Sequence, residues 1–252
     1  MILVLAGTAD ASAIIGRLKA EGYRVAASAV SEYGARLAWE AGADLVRTGP
    51  LAGEGLVDYI KGHGILAVID ATHPFAVTIS KVAREACRAL GLPYFRYGRP
   101  EMDLPFHPRL FWASGFEEAA GLAACGRVIF LTIGTRHLEC FTKAPALKGK
   151  RLVVRVLPEE DSLARCRRLG ILPRDIVALQ GPCSYELNRA LYLQFQAEVV
   201  VTKDSGRTGG VEEKVKAALD LGLKVVVVRR PPEVGGSSTE EVVSLLKETV
   251  KP

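Results

Sequence analysis

The two halves of the chain carry the same series of strand ends in the same order. The stretches "LVLAGT" (3–8) and "FLTIGT" (130–135) each end an apolar run at Gly-Thr. One such match is common, whereas six ordered matches at similar spacings indicate an internal duplication. The other pairs are the strand ends at Ser31 and Pro158, Gly49-Pro50 and Gly181-Pro182, "LAVIDATHPFA" (66–76) and "EVVVTKDSG" (198–206), "PYFRYGRP" (93–100) and "VVVVRRP" (225–231), and the helical "SGFEEAAGLAAC" (114–125) and "SSTEEVVSLLKE" (237–248).

Apolar runs alternate with helical patterns along the whole chain, which is typical of parallel α/β architecture. Together with the repeat, this predicts an α/β fold of two Rossmann-like parallel-sheet units. We predict an N-terminal unit at 1–125 and a C-terminal unit at 126–252, joined near Gly126. Thr8 should then correspond to Thr135, and Gly49 to Gly181. The alternative is a single ten-strand sheet.

Composition and charge restrict the classes of partner. The 252 residues are 49% apolar and 24% charged, which is ordinary for a soluble globular protein. A net charge of +5 favours an anionic ligand, but the basic runs of a dedicated nucleic-acid binder are missing, so we expect no nucleic-acid partner. Five widely spaced cysteines without a C-x-x-C motif argue against a disulfide framework and a zinc site, and we expect no metal.

The start of the chain and its apolar runs predict neither a signal peptide nor a membrane span. The chain starts directly in the apolar run "MILVLAG", and no apolar stretch reaches 18 residues. We therefore expect no membrane partner and a cytoplasmic protein. Nothing in the sequence indicates the oligomeric state.

Polar residues follow the predicted strands in both halves. Ligands of open parallel sheets bind at the carboxyl ends of the strands, so these loops are the candidate site. If the two edges face each other, the loops surround one cleft between the units. The loops are "GTAD", "SEYG", "TGP" and "DATHPFA" in the first half, and "GTRH", "LPEED", "QGPCS" and "KDSGRTGG" in the second.

The first of these loops has the layout of a phosphate site. "LAGTADAS" is a strand, a glycine turn and a helix start, although it lacks G-x-G-x-x-G. The free amides at the helix start could receive a phosphate, with the hydroxyl of Thr8 or Ser12 as a partner. Asp10 is equally well explained as a helix cap, so nucleotide binding stays open at this point.

Two loops carry residues suited to catalysis. In "DATHPFA", Pro74 restricts His73 to an extended backbone, and a histidine can transfer a proton near neutral pH. In "VVVTKDSGRTGG", Lys203 and Ser205 could bind a phosphate or carboxylate, and Asp204 could orient Lys203 or transfer a proton. The alternatives are a packed His73 in a structural turn and a glycine turn without function.

The whole set of motifs resembles the precorrin-6A and cobalt-precorrin-6A reductases of corrin biosynthesis. The resemblance covers essentially the full chain. It departs at Cys183, where a bulky residue such as phenylalanine is expected. The motifs that carry it are "GTADA", "DATHPFA", "GLPYFRYGRP", "FLTIGT", "GPCSYELN" and "VVTKDSGRTGG" with the following "VRRP".

The resemblance implies hydride transfer from NADPH or NADH to a ring double bond of a polycarboxylate tetrapyrrole, followed by protonation of the adjacent carbon. The product would be the 6B form in cobalamin biosynthesis. Whether the substrate contains cobalt stays open. So does the choice of cofactor, because Ser31 and Arg36 could serve a 2′-phosphate while Glu32 could serve a ribose hydroxyl.

Residue roles follow from these motifs as predictions. The catalytic candidates are His73, Lys203 and Asp204. The cofactor-binding candidates are Gly7, Thr8, Asp10, Ser31, Asp70, Thr72, Gly134, Thr135, Gly181 and Pro182. The substrate-binding candidates are Lys203, Ser205, Gly206, Arg207 and Arg136.

Two other classes of protein remain as alternatives. A non-redox tetrapyrrole enzyme of the uroporphyrinogen-synthase type would lack affinity for nicotinamide. A non-catalytic anion-binding protein would bind its ligand and turn nothing over.

Overall fold

The chain forms two compact units, each built on one parallel β-sheet. The computed structural model describes residues 1–51, 53–100, 102–232 and 236–251. The first unit comprises Met1–Pro100 with Pro231–Pro252, and the second comprises Glu101–Arg230. The two-sheet prediction is confirmed, and the single ten-strand sheet is wrong.

The first sheet has helices packed on both faces. Along its central strand, Ile2 and Val4 lie in one apolar cluster while Leu3 and Leu5 lie in another. Burial on both faces explains why its strands are continuous apolar runs. The strands are β1 (Ile2–Leu5), β2 (Val25–Ala29), β3 (Leu45–Thr48), β4 (Ala67–Asp70), β5 (Tyr94–Tyr97) and, from the end of the chain, β12 (Gly236–Ser237), in the spatial order β12-β5-β4-β1-β2-β3.

The second sheet repeats this arrangement. Its core includes the valines of the run that precedes Thr202 and those of the next strand. Its strands are β6 (Leu110–Ala113), β7 (Val128–Leu131), β8 (Arg151–Val156), β9 (Ile176–Ala178), β10 (Val199–Lys203) and β11 (Lys224–Val228), in the order β6-β11-β10-β7-β8-β9.

Several helices begin at a hydroxyl residue that satisfies the free amides of the first turn. Thr8, Ser31, Ser184 and Ser238 each accept a hydrogen bond from a backbone amide three residues on. The helices are α1 (Ala9–Ala20), α2 (Glu32–Glu40), α3 (Glu54–Gly62), α4 (Val77–Leu90), α5 (Phe116–Ala123), α6 (Glu139–Thr142), α7 (Glu160–Arg168), α8 (Tyr185–Gln194), α9 (Val211–Asp220) and α10 (Thr239–Thr249).

Strand register confirms the first predicted equivalence of the repeat. Ile2 pairs with Val25 and Ala67, and Ile129 pairs with Leu152 and Val199. Ile2 and Ile129 therefore hold the same place in the two sheets. Thr8 follows the first by six residues, and Thr135 follows the second by six, so the two threonines correspond.

The second predicted equivalence is wrong. The amide of Gly49 donates to the carbonyl of Ala29 at 3.0 Å, and the matching bond in the second sheet runs from Leu179 to Val156 at 2.9 Å. Gly49 thus corresponds to Leu179. Gly181 lies two residues further along the loop after β9.

The predicted boundary at 125/126 is also wrong, because the two halves exchange their last strand and helix. β6 pairs with β11, and β12 pairs with β5. β6 and α5 therefore belong to the second unit, while β12 and α10 belong to the first. The exchanged strands cover β5 and β11, which would otherwise be open sheet edges. A sequence repeat identifies equivalent segments but does not show which copy of the sheet each one joins.

Among the described residues, no helix combines the length and apolar character needed to cross a membrane.

Candidate active site

The loop after β1 is tied to the loops beside it. Thr8 Oγ1 accepts from the amide of Ala11 at 3.2 Å and donates to the carbonyl of Ala71 at 3.1 Å. Gly7 has a φ of +117°, which favours glycine. A Cβ added to Gly34 would lie 3.1 Å from the Gly7 Cα, so the start of α2 packs directly on this turn.

Asp10 and Ser31, two predicted cofactor ligands, have partners within the protein. Asp10 forms a 2.6 Å ion pair with Arg99, and both side chains are nearly buried. Ser31 Oγ accepts from the amide of Gly34 at 3.1 Å and caps α2. The negative charge at the start of α1 is therefore balanced by Arg99.

Asp70 is the centre of a buried network. Its side chain is 0% exposed, and it accepts from Arg96 Nη1 at 2.8 Å, from the Tyr94 hydroxyl at 2.7 Å and from Thr72 Oγ1 at 2.6 Å. Burial, and then the Asp70 charge, raise the pKa of Tyr94, which keeps the phenol protonated as a donor. The network holds Thr72 in place.

His73 follows this network in a half-buried position. Its Nδ1 accepts from the amide of Phe75 at 3.2 Å. In the neutral ring the proton is then on Nε2, so the neutral imidazole can donate a hydrogen bond through that atom. The loop therefore fixes which tautomer is present.

Lys203 and Asp204 end β10 in the second sheet. Lys203 is the last residue of the strand and is half-buried. Both carboxylate oxygens of Asp204 are bound by Arg230, with Nε and Nη2 each at 2.7 Å. Asp204 is thus held by Arg230; this arginine lies in the "VRRP" motif, but its pairing with Asp204 was not predicted.

The loop that follows brings further predicted residues together. Ser205 is buried, Arg207 is exposed, and Gly206 and Gly210 have φ of +73° and +63°. A Cβ added to Gly210 would lie 3.1 Å from the Pro182 Cβ. Gly181 and Pro182, which are joined by a cis peptide, therefore lie against this glycine loop.

Lys214 lies beneath the same loop and was missed by sequence reasoning. Its side chain is 6% exposed, and its Nζ donates to the carbonyl of Gly209 at 2.6 Å. Burial, and then the charges of Arg155 and Lys203, lower the pKa of Lys214 to about 7. A signal was present, because Lys214 falls on the apolar stripe of α9 between Val211 and Val215.

The loop after β7, "GTRH", includes His137, a histidine that was not among the predicted site residues. Gly134 has a φ of +72°, Thr135 is half-buried and Arg136 is exposed. His137 stacks on Phe116 with ring centroids 4.0 Å apart. Burial, and then the charges of Lys203 and Arg136, lower the pKa of His137 and favour the neutral ring. Positive charge therefore accumulates at this edge of the second sheet.

The structure thus gathers the predicted residues into one group per unit. The loops after β1, β2 and β4 adjoin in the first unit, and those after β7, β9 and β10 supply the group in the second. Three of the predicted residues, Asp10, Asp70 and Asp204, are engaged by arginines. Within the described ranges, no three His, Cys, Asp or Glu side chains come together as a metal site.

Fold and site together define a parallel α/β protein of two Rossmann-like units with glycine turns and cationic side chains at the strand ends. The family model described as "Precorrin-6x reductase CbiJ/CobK" matches residues 1–248. The chain belongs to this family, and as a member it is an oxidoreductase of cobalamin biosynthesis.

Similarity extends over nearly the full length of known reductases. The chain is 41% identical to the cobalt-precorrin-6A reductase of Priestia megaterium, over 98% of each chain. It is 37% identical to that of Salmonella typhimurium, over 95% of this chain and 91% of the relative. The solved structure of CobK precorrin-6A reductase matches with a TM-score of 0.79 and 29% identity. The match covers 99% of this chain and 97% of the CobK chain.

Proposed function

We propose that the chain uses NADPH or NADH to reduce a ring double bond of cobalt-precorrin-6A, giving the 6B form. The observation that carries this proposal is the near full-length similarity to reductases named for the cobalt-containing substrate. Metal-free precorrin-6A is the second candidate, because a solved relative of the same fold is named for it.

The residues of the first unit fit a nicotinamide dinucleotide. A Cβ added to Gly7 would meet no atom within 4 Å, so there is open space above this turn. The first-turn amides of α1 and the glycine turn form the kind of site that accepts phosphate. Gly7, Thr8 and Ser31 would hold the dinucleotide, which when bound supplies the hydride.

The protein's own contribution is to bind the substrate, orient it and deliver a proton. His73 is the proposed proton donor and would act in its imidazolium form, releasing the Nε2 proton and keeping the proton on Nδ1. The hydrogen bond from the Phe75 amide to Nδ1 belongs to the neutral ring and would be given up when the ring is protonated. Lys203 and Arg207 are proposed to bind carboxylates of the tetrapyrrole. Asp204, through its bidentate bond to Arg230, is proposed to position this loop.

A titration followed by a turnover assay tests the proposal against its rivals. Nicotinamide fluorescence is recorded while NADPH or NADH is added to the protein, and cofactor oxidation is then followed with cobalt-precorrin-6A or precorrin-6A. We expect binding and turnover. A non-redox tetrapyrrole enzyme would leave the fluorescence unchanged, and an anion-binding protein would not oxidise the cofactor.

A further inference from the structure

A cavity of about 270 Å³ lies in the first unit beside α4; we call it the α4 pocket. Three cationic side chains line it, namely Lys81, Arg84 and Arg96. The rest of the lining consists of short and mainly apolar side chains, with one hydroxyl from Ser80: these are Pro74, Val77, Pro231 and Pro232. The cavity therefore combines a positive end with a hydrocarbon lining.

The net charge of the α4 pocket comes from Lys81 and Arg84. The charge of Arg96 is balanced by its 2.8 Å ion pair with buried Asp70. Lys81 and Arg84 are exposed and lie three residues apart, so they project from the same face of α4. Within the part of the chain that the structure describes, neither has a carboxylate partner, and no acidic residue lines the cavity.

Arg84 is held in position by an aromatic ring. Its guanidinium lies 5.6 Å from the centroid of Tyr94, a cation–π contact. The Tyr94 hydroxyl donates to Asp70 at 2.7 Å, so the ring is fixed by the buried network. This support limits the freedom that Arg84 would lose on binding an anion.

The size of the cavity restricts what it can take. Pockets that enclose a whole small ligand measure roughly 300–1,000 Å³, and the α4 pocket falls just below that range. It is therefore suited to one substituent of a larger molecule. A carboxylate on a short hydrocarbon stem matches both the cationic end and the apolar wall.

We propose that the α4 pocket binds one carboxylate side chain of the tetrapyrrole substrate, with Lys81 and Arg84 as its ligands. This inference rests on the proposed function. Pro74 lines the cavity and directly follows His73 in the chain. A side chain anchored in the pocket sets the position of the ring relative to the proposed proton donor, so the pocket determines substrate specificity.

Steady-state kinetics of Lys81→Ala, Arg84→Ala and the double variant test this proposal. The tetrapyrrole KM should rise about 10-fold in each single variant and further in the double variant, since each loses a charge-assisted hydrogen bond. The KM for NADPH should stay unchanged. Arg88→Ala is the matched control, because Arg88 is exposed on the same helix but does not line the cavity.

Three results would overturn the proposal. One is an unchanged tetrapyrrole KM in the double variant, and another is an equal rise in Arg88→Ala. The third is a rise in the NADPH KM alone, which would make the pocket a dinucleotide phosphate site. If the wild type does not oxidise NADPH, the proposed function fails. The pocket is then tested by binding alone: the visible absorption of cobalt-precorrin-6A reports its affinity for the wild type, the double variant and Arg88→Ala.

Discussion

Three aspartates near the carboxyl edges of the sheets, one of them in the first turn of α1, are each bound by an arginine. A buried charge without a partner is costly, so these pairs make charged residues tolerable at the ends of buried strands. They also remove the aspartates from the set of available acids and bases, which leaves His73 as the proposed donor in the first unit. The pairs are Asp10–Arg99, Asp70–Arg96 and Asp204–Arg230.

Substitution of His73 should change the pH dependence of the reaction. A glutamine keeps a polar side chain but has no titrating proton, so we expect His73→Gln to lower kcat by about 10²-fold or more and to remove one limb of the pH–rate profile. Asp204→Asn is the comparison, and there we expect a smaller loss with the shape of the profile preserved. The reverse pattern would assign the proton transfer to Asp204.

Lys203 is predicted to act on the substrate and not on folding. A charge-assisted hydrogen bond contributes about 1.5–3 kcal/mol, so Lys203→Ala should lower kcat/KM by roughly one to two powers of ten. The side chain is half-buried at a strand end, and the free energy of unfolding should change little. Kinetics and denaturant unfolding measure the two effects, and wild-type kinetics would make this loop structural.

Lys214 should make stability depend on pH above neutrality. Its folded pKa of about 7 lies below the ordinary value of 10.5 because of burial and the charges of Arg155 and Lys203; Glu213 and Cys183 oppose this lowering. Between these pH values the unfolded chain holds the proton that the folded chain has released. Stability therefore rises with pH, by at most about 1.4 kcal/mol per pH unit.

Denaturant unfolding of the wild type and Lys214→Met from pH 6 to 10 checks this expectation. The difference in the free energy of unfolding should shift steadily in favour of the wild type as pH rises above 7, because the lysine must lose its proton on folding and this loss costs less at higher pH. Lys216→Met on the exposed face of the same helix serves as the control. Parallel pH curves for the wild type and Lys214→Met would mean that Lys214 does not titrate in this range.

At the scale of elements, the exchanged helix α10 is part of the core of the first unit. Val242, Val243 and Leu246 pack in the same apolar cluster as Ile2 and Val4. A fragment of residues 1–125 would lack this helix and would carry β6 and α5 without their sheet. Such a fragment is therefore not a folding unit.

A pair of neighbouring leucines tests the role of α10. Leu246 is 0% exposed and Leu245 is 41% exposed. Leu246→Ala should lower the free energy of unfolding by about 2–5 kcal/mol, because it leaves a cavity in the core. Leu245→Ala should cost far less. Equal effects in thermal or denaturant unfolding would mean that α10 does not stabilise the first unit.

The sequence was sufficient to predict the repeat and ten of the twelve described strands, but not β6, β12 or the partners of individual residues. Apolar runs ending at Gly7 and Gly134 identify buried parallel strands and their carboxyl ends. The rule that ligands bind there located both loop groups. Arg96 and Arg230 could not be assigned to their aspartates, because the pairing depends on which strands adjoin. The exchange of β6 and β12 was hidden for the same reason.

At the scale of the whole molecule, the two copies of the repeat have diverged in chemistry. Strand register places Thr202 where the first unit has Asp70, and both are fully buried. The first unit carries the acidic network and His73, whereas the second carries Lys203 and Lys214. The two copies thus present different side chains at their strand ends, and under the proposed function they would serve different parts of one reaction.

The central claim is hydride transfer from a nicotinamide cofactor to the tetrapyrrole, and an isotope experiment tests it most directly. Cobalt-precorrin-6A is incubated with the protein and NADPH or NADH deuterated on the transferable position, and the product is analysed by mass spectrometry. We predict one cofactor oxidised per tetrapyrrole reduced, one deuterium carried into the ring, and a second hydrogen taken from solvent. A tetrapyrrole that is bound but gains no label, while the cofactor stays reduced, would contradict the account.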